Sequence, residues 1–204
     1  MRGLKFNIMC FIFKIKPTLK REMGKELSKK IIYRMKKHYE ESDKRKHRME
    51  GIMGFHRIFL LMGLSLYRAI EEELGKTDDL VEKIHKILWE GRMHQLTGII
   101  AFIIRHSKDP FNRYLRLLGP KNDRSFPCPP WEKVEIELEN GIGWHQLKCP
   151  YYEFFKEEGV VGLTGAYCDL DRRIAELVPE HIELKRQHTL AKGDEWCDFF
   201  YYKR

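Results

Sequence analysis

Apolar residues recur at helical spacing through the N-terminal half of the chain and switch to alternation only further on. Leu19, Met23, Leu27, Ile31, Met35 and Tyr39 repeat every four residues. This slowly turning stripe predicts one long helix from Pro17 to about Lys46, with lysines and arginines on its other faces. A second helix, from about Met53 to Leu74, follows from the wide apolar face of Phe55, Phe59, Leu60, Met62, Leu66, Tyr67 and Ile70. Gly75 stands where a C-terminal cap belongs. Thr77-Asp78-Asp79 opens a third helix, with acids in the first turn as the helix dipole favours. It continues to about Arg105 through Leu80, Ile84, Ile87, Leu88, Ile99, Phe102 and Ile103, and Gly91 and Gly98 within it predict a close helix contact or a kink. Asp109-Pro110 opens a shorter fourth helix ending near Leu118.

The period then changes. Val134, Ile136 and Leu138 alternate with Glu135, Glu137 and Glu139, the pattern of a half-buried strand. Asn140-Gly141 is a hairpin turn, and Gly143 to Lys148 is the returning strand. Cys149-Pro150 opens a short helix over 150–158, and another spans Thr164 to Leu177. Two last strands, Ile182–Leu190 and Trp196–Tyr202, join at Lys192-Gly193-Asp194. The order predicts an α+β fold: N-terminal helices packed with a small, mainly antiparallel four-stranded sheet, with two short helices in the C-terminal half.

Charge separates the two ends. Residues 1–50 hold 16 Lys/Arg against 6 Asp/Glu, a surplus of +10, so the remaining 154 residues balance at −2. We therefore expect a basic amphipathic helical arm over 1–50 and a single α+β domain over 51–204. The arm offers a surface for a second copy of the chain. It carries no helix-turn-helix signature, so nucleic acid is not expected as a partner. The opening MRGLKFNIMCFIFKIKP has a short apolar core, lysines interrupting it and no small-residue cleavage site, unlike a signal peptide. No apolar run reaches the ~20 residues of a membrane span. The five cysteines, Cys10, Cys128, Cys149, Cys168 and Cys197, are odd in number and not closely paired. That pattern predicts reduced thiols in a cytoplasmic protein.

Three of those cysteines carry candidate chemistry. Cys149 occupies a helix N-cap with Pro150 at the first helical position, a setting that favours a thiolate. Cys168 lies in a helix with Asp171 three residues on, so the two share one side, while Asp169 projects elsewhere. Cys197 shares a strand face with Phe199 and Tyr201, and Asp198 points the other way. On the preceding strand Ile182, Leu184, Arg186, His188 and Leu190 form one face, apolar at its ends and polar in the middle, as in a pocket wall. Arg186 there can bind a carboxylate bidentately, and His188 can move a proton near neutral pH. Spacings of 19 and 29 residues between these cysteines lack the close pairs of a zinc site, so neither metal nor cofactor is expected.

Three segments in register, LKCPYYEFFKEEG, GAYCDLD and RQHTLAKGDEWCDFFY, resemble the L-2-amino-thiazoline-4-carboxylic acid hydrolase family over about 145–202. The matching positions are Cys149, Pro150 and Tyr151, then Cys168 and Asp171, then Thr189, Leu190, Gly193, Asp194, Cys197, Asp198 and Phe199. The resemblance implies a hydrolase that opens a small cyclic amidine-like substrate with water to a carbamoyl product. On that reading Arg186, with Thr189 and Tyr151, binds a small carboxylate-bearing substrate. Cys149 or Cys168 is the nucleophile, Cys197 belongs to the same site, and Asp171, Asp194 or His188 transfers protons. The alternative is a non-catalytic small-molecule-binding or redox-sensing domain with a basic interaction arm.

Overall fold

The computed structural model describes residues 2–44, 54–117 and 126–204. The expected end of the first helix, the start of the second, Leu118 and the expected boundary at residue 50 lie outside the described residues. The chain divides into two compact units that meet in sequence at Gln95 and Leu96.

The first unit is helical. Helix α1 spans Arg2–Met23 and α2 spans Lys25–Lys44, in place of the single helix expected from Pro17. Ile8, Phe11, Ile12, Ile15 and Leu19 make a buried stripe, which is why the helix forms upstream of Pro17 and runs through it. Gly24 causes the break: its φ of +78° is left-handed, a conformation that ends a helix cheaply only for glycine. Its amide still closes on Lys20 O at 2.9 Å, and its carbonyl accepts from Ser28 N at 3.1 Å to start α2. Ile31, Met35 and Tyr39 are buried as the stripe required. Helix α3 (Gly54–Leu74) is buried on nearly every side between Leu60 and Ile70. Its acidic end takes Arg34 of α2 through Glu72 and Glu73. Helix α4 (Leu80–Leu88) passes through a π-helical turn, Trp89–Met93, into α5 (His94–Arg105). Gly91 in that turn meets α1: a Cβ there would lie 2.8 Å from Ile15 Cα. Gly98 has open space around it.

The second unit carries the sheet. After α6 (Pro110–Leu117) come β1 (Glu132–Ile136), β2 (Gly141–Lys148), α7 (Pro150–Glu157), α8 (Leu163–Ala175), β3 (Ile182–Lys185) and β4 (Cys197–Lys203). The strand order is β1-β2-β4-β3, with every pair antiparallel. Strand β1 is an edge, and Val134 on it is 50% exposed. Trp144, Phe199 and Tyr201 stack on the inner face, with Trp144 and Phe199 at 4.9 Å and 4°. Ala101, Ile104, Phe111, Tyr114, Leu115, Ile174 and Val178 cover them from the helices.

Strand β3 ends at Lys185, not at Leu190. Beyond it the Asp198 carboxylate accepts from Gln187 N at 3.0 Å and from His188 N at 2.6 Å, taking over from the ladder carbonyls. The chain then turns through a short 3₁₀ segment, Leu190–Lys192, into Gly193 at φ +92°.

Candidate active site

Four segments of the second unit converge: the start of α7, the middle of α8, the residues after β3 and the start of β4. Cys149 is the N-cap of α7, with extended backbone and Pro150 at the first helical position. The structure corrects the expectation of a thiolate there. The sulfur makes no cap hydrogen bond. Burial dominates and pushes the thiol up to about 12, against the pull of the Tyr152 and Tyr151 amides. A dipole contribution of ~0.3–1 kcal/mol is too small to reverse that desolvation.

The sulfur that does gain acidity is Cys197. It accepts a hydrogen bond from Leu190 N–H at 3.2 Å. The Cys168 contact, followed by the Leu190 amide and the Arg186 charge, outweighs burial and brings Cys197 down to about 7. Donating to Cys197, together with burial, pushes Cys168 up. Cys197 is 4% exposed, whereas Cys168 is half-buried.

Arg186 lies against this pair. Its Nη1 donates to Cys168 O at 2.8 Å and its Nη2 to Asp171 Oδ2 at 3.0 Å. The guanidinium carbon stands 3.9 Å from the centre of the Phe199 ring. Burial is the largest influence and works against the cation, but the Asp171, Tyr201 and Cys168 charges and the bond to Asp171 together outweigh it and hold the guanidinium above its ordinary range. Both terminal nitrogens are therefore engaged, and Nε, buried and without a partner, is the donor left for a ligand. Burial raises the Asp171 carboxyl although Arg186 pulls it down. Its side chain nevertheless keeps 38% of its surface. Cys149 and Tyr151 combine the same two properties, part-open surfaces and titration dominated by burial.

The remaining expected residues stand apart from the sulfurs. His188 is half-exposed, its ring 5.9 Å from that of Trp196 and its Nδ1 3.6 Å from Asp194 Oδ1. Asp194 accepts from Thr189 N at 2.7 Å, a bond that, with His188, lowers its carboxyl. Thr189 is buried at the corner these bonds create. His188 leaves the Arg186 face because β3 ends before it. Tyr151 packs between Trp131 and Tyr167 at the mouth of α7.

Sequence reasoning missed four contributors. The Tyr114 and Tyr201 rings pack with centroids 5.3 Å apart, and burial raises both hydroxyls. Tyr201 was readable on the Cys197 face; Tyr114, from a distant helix, gave no signal. Thr164 shares the stripe of Cys168 and Asp171 at i+4 and i+7, and its buried Oγ1 has no partner. The fourth is the Leu190 amide, which no side-chain pattern reveals. A separate groove on the β1–β2 hairpin, lined by Glu135, Ile136, Glu137, Leu138 and Gly143, contains none of these residues. Among the described residues no group of three or more His, Cys, Asp or Glu side chains is arranged to hold a metal ion, and no helix is long and apolar enough to cross a membrane.

Solved structures of H-NOX proteins share broad features with the chain. One from K. algicida, in the unliganded Fe(II) state, is 13% identical with a TM-score of 0.43 over 97% of this chain and 96% of that one. One from S. oneidensis, in the Fe(II)NO state, is 15% identical with a TM-score of 0.40 over 100% and 99%. No curated protein matches. The sequence model of the L-2-amino-thiazoline-4-carboxylic acid hydrolase family matches residues 52–201, from the second helix to the inner-face Tyr201. With that match spanning most of its length, the chain belongs to the L-2-amino-thiazoline-4-carboxylic acid hydrolase family.

Proposed function

We propose that the protein hydrolyses a small cyclic amidine bearing a carboxylate, of the 2-amino-thiazoline-4-carboxylate type, with Cys168 as nucleophile and Cys197 as its base. The observation that carries this reading is the buried Arg186, paired with Asp171 and held on the Cys168 carbonyl, in the cluster where the Cys197 sulfur accepts from Leu190 N–H. Cys168 is the more open sulfur, and Cys197 is the one inclined to hold negative charge.

As the Cys168 sulfur attacks the carbon between nitrogen and sulfur, its proton passes to the Cys197 thiolate. The ring carbon–sulfur bond breaks, and the departing sulfur takes a proton from Asp171, whose raised affinity for a proton suits it to act as an acid. An isothiourea on Cys168 remains. Water adds across its carbon–nitrogen double bond. The adduct then collapses: the hydroxyl proton returns to Asp171, and Cys168 leaves as a thiol with the proton held by Cys197. The product is the carbamoyl compound, one water is consumed, and both acids are restored. Arg186 Nε–H and Thr164 O–H, buried without partners, supply donors for the substrate carboxylate. Half-buried Tyr151 forms part of the wall.

The test is turnover of 2-amino-thiazoline-4-carboxylate by the full chain, read as N-carbamoyl-cysteine by mass spectrometry. Cys168→Ser should lose at least 100-fold in kcat, and Cys149→Ser should stay within a few-fold of the parent. Equal rates for the parent and Cys168→Ser would end the thiol mechanism.

A further inference from the structure

The open faces of α1 and α2 combine cations with large apolar side chains. On α1, Met9, Phe13, Lys16 and Lys20 recur at helical spacing and share one side, away from the buried stripe. Met9 is 63% exposed and Phe13 74% exposed, and both lysines are exposed. On α2, Tyr33 is 73% exposed. Lys29 and Lys30 stand one turn before it and Lys36 and Lys37 one turn after, all four exposed. The exposed acids of α2 are Glu26 and Glu40, and Glu26 is taken by Lys29 at 2.8 Å. Lys16, Lys20, Lys30 and Lys36 belong to no ion pair among the described residues. The surplus of +10 over residues 1–50 is therefore displayed at the surface. Folding gains little from a phenylalanine left open beside lysines.

We infer that these faces of α1 and α2 dock on an anionic lipid bilayer. Such a surface supplies both chemistries at once. Its charged headgroups take the lysines, the hydrocarbon beneath takes Phe13 and Met9, and Tyr33 sits at the headgroup level, where ring and hydroxyl are both accommodated. The contact is peripheral. No described helix is long and apolar enough to cross a membrane, and the apolar side of α1, from Ile8 to Leu19, is already buried inside the protein. A nucleic acid would satisfy the lysines but offers Met9 nothing apolar to enter. A second copy would bring the same lysines face to face, and like charges oppose that contact. Each basic residue near an anionic surface raises the partition coefficient roughly five-fold. A few engaged lysines and two inserted side chains then give binding that is reversible and that salt removes.

The docking is independent of the chemistry at the cysteines, so neither failure would be mistaken for the other. The full-length chain is sedimented with vesicles of phosphatidylcholine alone and of phosphatidylcholine with about 30% phosphatidylserine, at about 0.1 M and about 0.5 M salt. The parent should bind the phosphatidylserine vesicles at low salt and lose at least about ten-fold in partitioning at high salt or without phosphatidylserine. Lys36→Glu/Lys37→Glu should lose at least about ten-fold and Phe13→Ser about five-fold. A matched reversal in the second unit, Lys108→Glu/Lys203→Glu, both exposed, should change partitioning less than about two-fold. No preference for phosphatidylserine in the parent at low salt, equal losses in the two double variants, or unchanged binding by Phe13→Ser would overturn the inference. So would tighter binding of the parent to an RNA duplex than to the vesicles, or a lipid-free dimer that Phe13→Ser dissociates. The parent comparison across lipids and salt decides even if a variant fails to fold.

Discussion

Replacing Arg186 by Met removes the one cation in the cysteine cluster while keeping an unbranched apolar stem. The side chain is 11% exposed, so three contributions vanish together. Losing one partner of a buried ion pair costs about 3–5 kcal/mol when the survivor is sealed in. Asp171 keeps 38% of its surface, so water screens it, and about 2–3 kcal/mol is the appropriate share. The guanidinium over Phe199 adds about 1 kcal/mol, and the bond to the Cys168 carbonyl about 0.5–1 kcal/mol. Burial of the Met side chain returns roughly 1 kcal/mol. The net loss is about 2.5–4 kcal/mol, a large part of the ~5–15 kcal/mol that stabilises a domain. The effect should depend on pH in a definite direction. Asp171 is raised in the folded state even with Arg186 present, and without that cation it rises further above its unfolded value near ~3.9. A raised carboxyl contributes stability below its unfolded pKa that is lost as pH climbs through its folded pKa. The variant's deficit should therefore be greatest near neutrality and shrink as pH falls towards about 5. Urea unfolding of parent and Arg186→Met at both pH values measures this, with Arg186→Met/Asp171→Leu as control, which should recover part of the loss. A deficit under about 1 kcal/mol, or one unchanged by pH, would refute the reasoning.

Asp198→Ala strips the acceptor from two backbone amides, Gln187 and His188. It should cost about 2–4 kcal/mol by urea unfolding, with faster hydrogen exchange confined first to those two amides. Gly91→Ala drives a methyl to 2.8 Å from the Ile15 backbone. It should destabilise the helical unit by about 1–3 kcal/mol, whereas Gly98→Ala, with open space, should be neutral or stabilising in the same melt. Asp194→Ala frees the Thr189 amide and loosens the turn that aims Leu190 N–H at Cys197. The pH midpoint of Cys197 alkylation should move up from about 7 towards the ordinary thiol range near ~8.5, while the midpoint for Cys10 stays put.

The α+β order, the four strands and the two hairpins were legible because alternation and turn residues act locally, whereas the β2–β4 pairing that joins the hairpins was not. The hairpin at Asn140-Gly141 and the inner face through Cys197, Phe199 and Tyr201 depend on nothing further away. The break at Gly24 was less visible: the four-residue stripe continues across it, and only the sign of φ separates the two helices. The end of β3 was hidden for a different reason. Ile182, Leu184 and Arg186 do alternate, but the segment after Lys185 is held by a side-chain carboxylate from β4, and a carboxylate competing for ladder positions leaves no periodic signature. The ranking of the thiols failed on the same kind of distant fact. An N-cap is readable in sequence, so Cys149 looked activated; the desolvation that deactivates it comes from residues brought in by folding. Cys197 looked ordinary because its donor, the Leu190 amide, reaches it from a turn.

The closing segment, Thr-Leu-x-x-Gly-Asp-x-x-Cys-Asp-Phe, is explained by that turn. Gly193 supplies the positive φ, Asp194 ties down Thr189 N, and Asp198 ties down Gln187 N and His188 N. None of these three needs to touch a substrate. Together they fix the corner whose Leu190 amide points at the sulfur two residues after the turn's last bend. Phe199, next on the same face, carries the guanidinium that adds the remaining charge. A thiolate in a buried place needs several donors at once, because one amide or one dipole is worth less than the desolvation it must offset. The carboxylates in this segment act as architecture, each accepting from backbone amides, and on the proposed mechanism the proton chemistry falls to Asp171 and the cysteines.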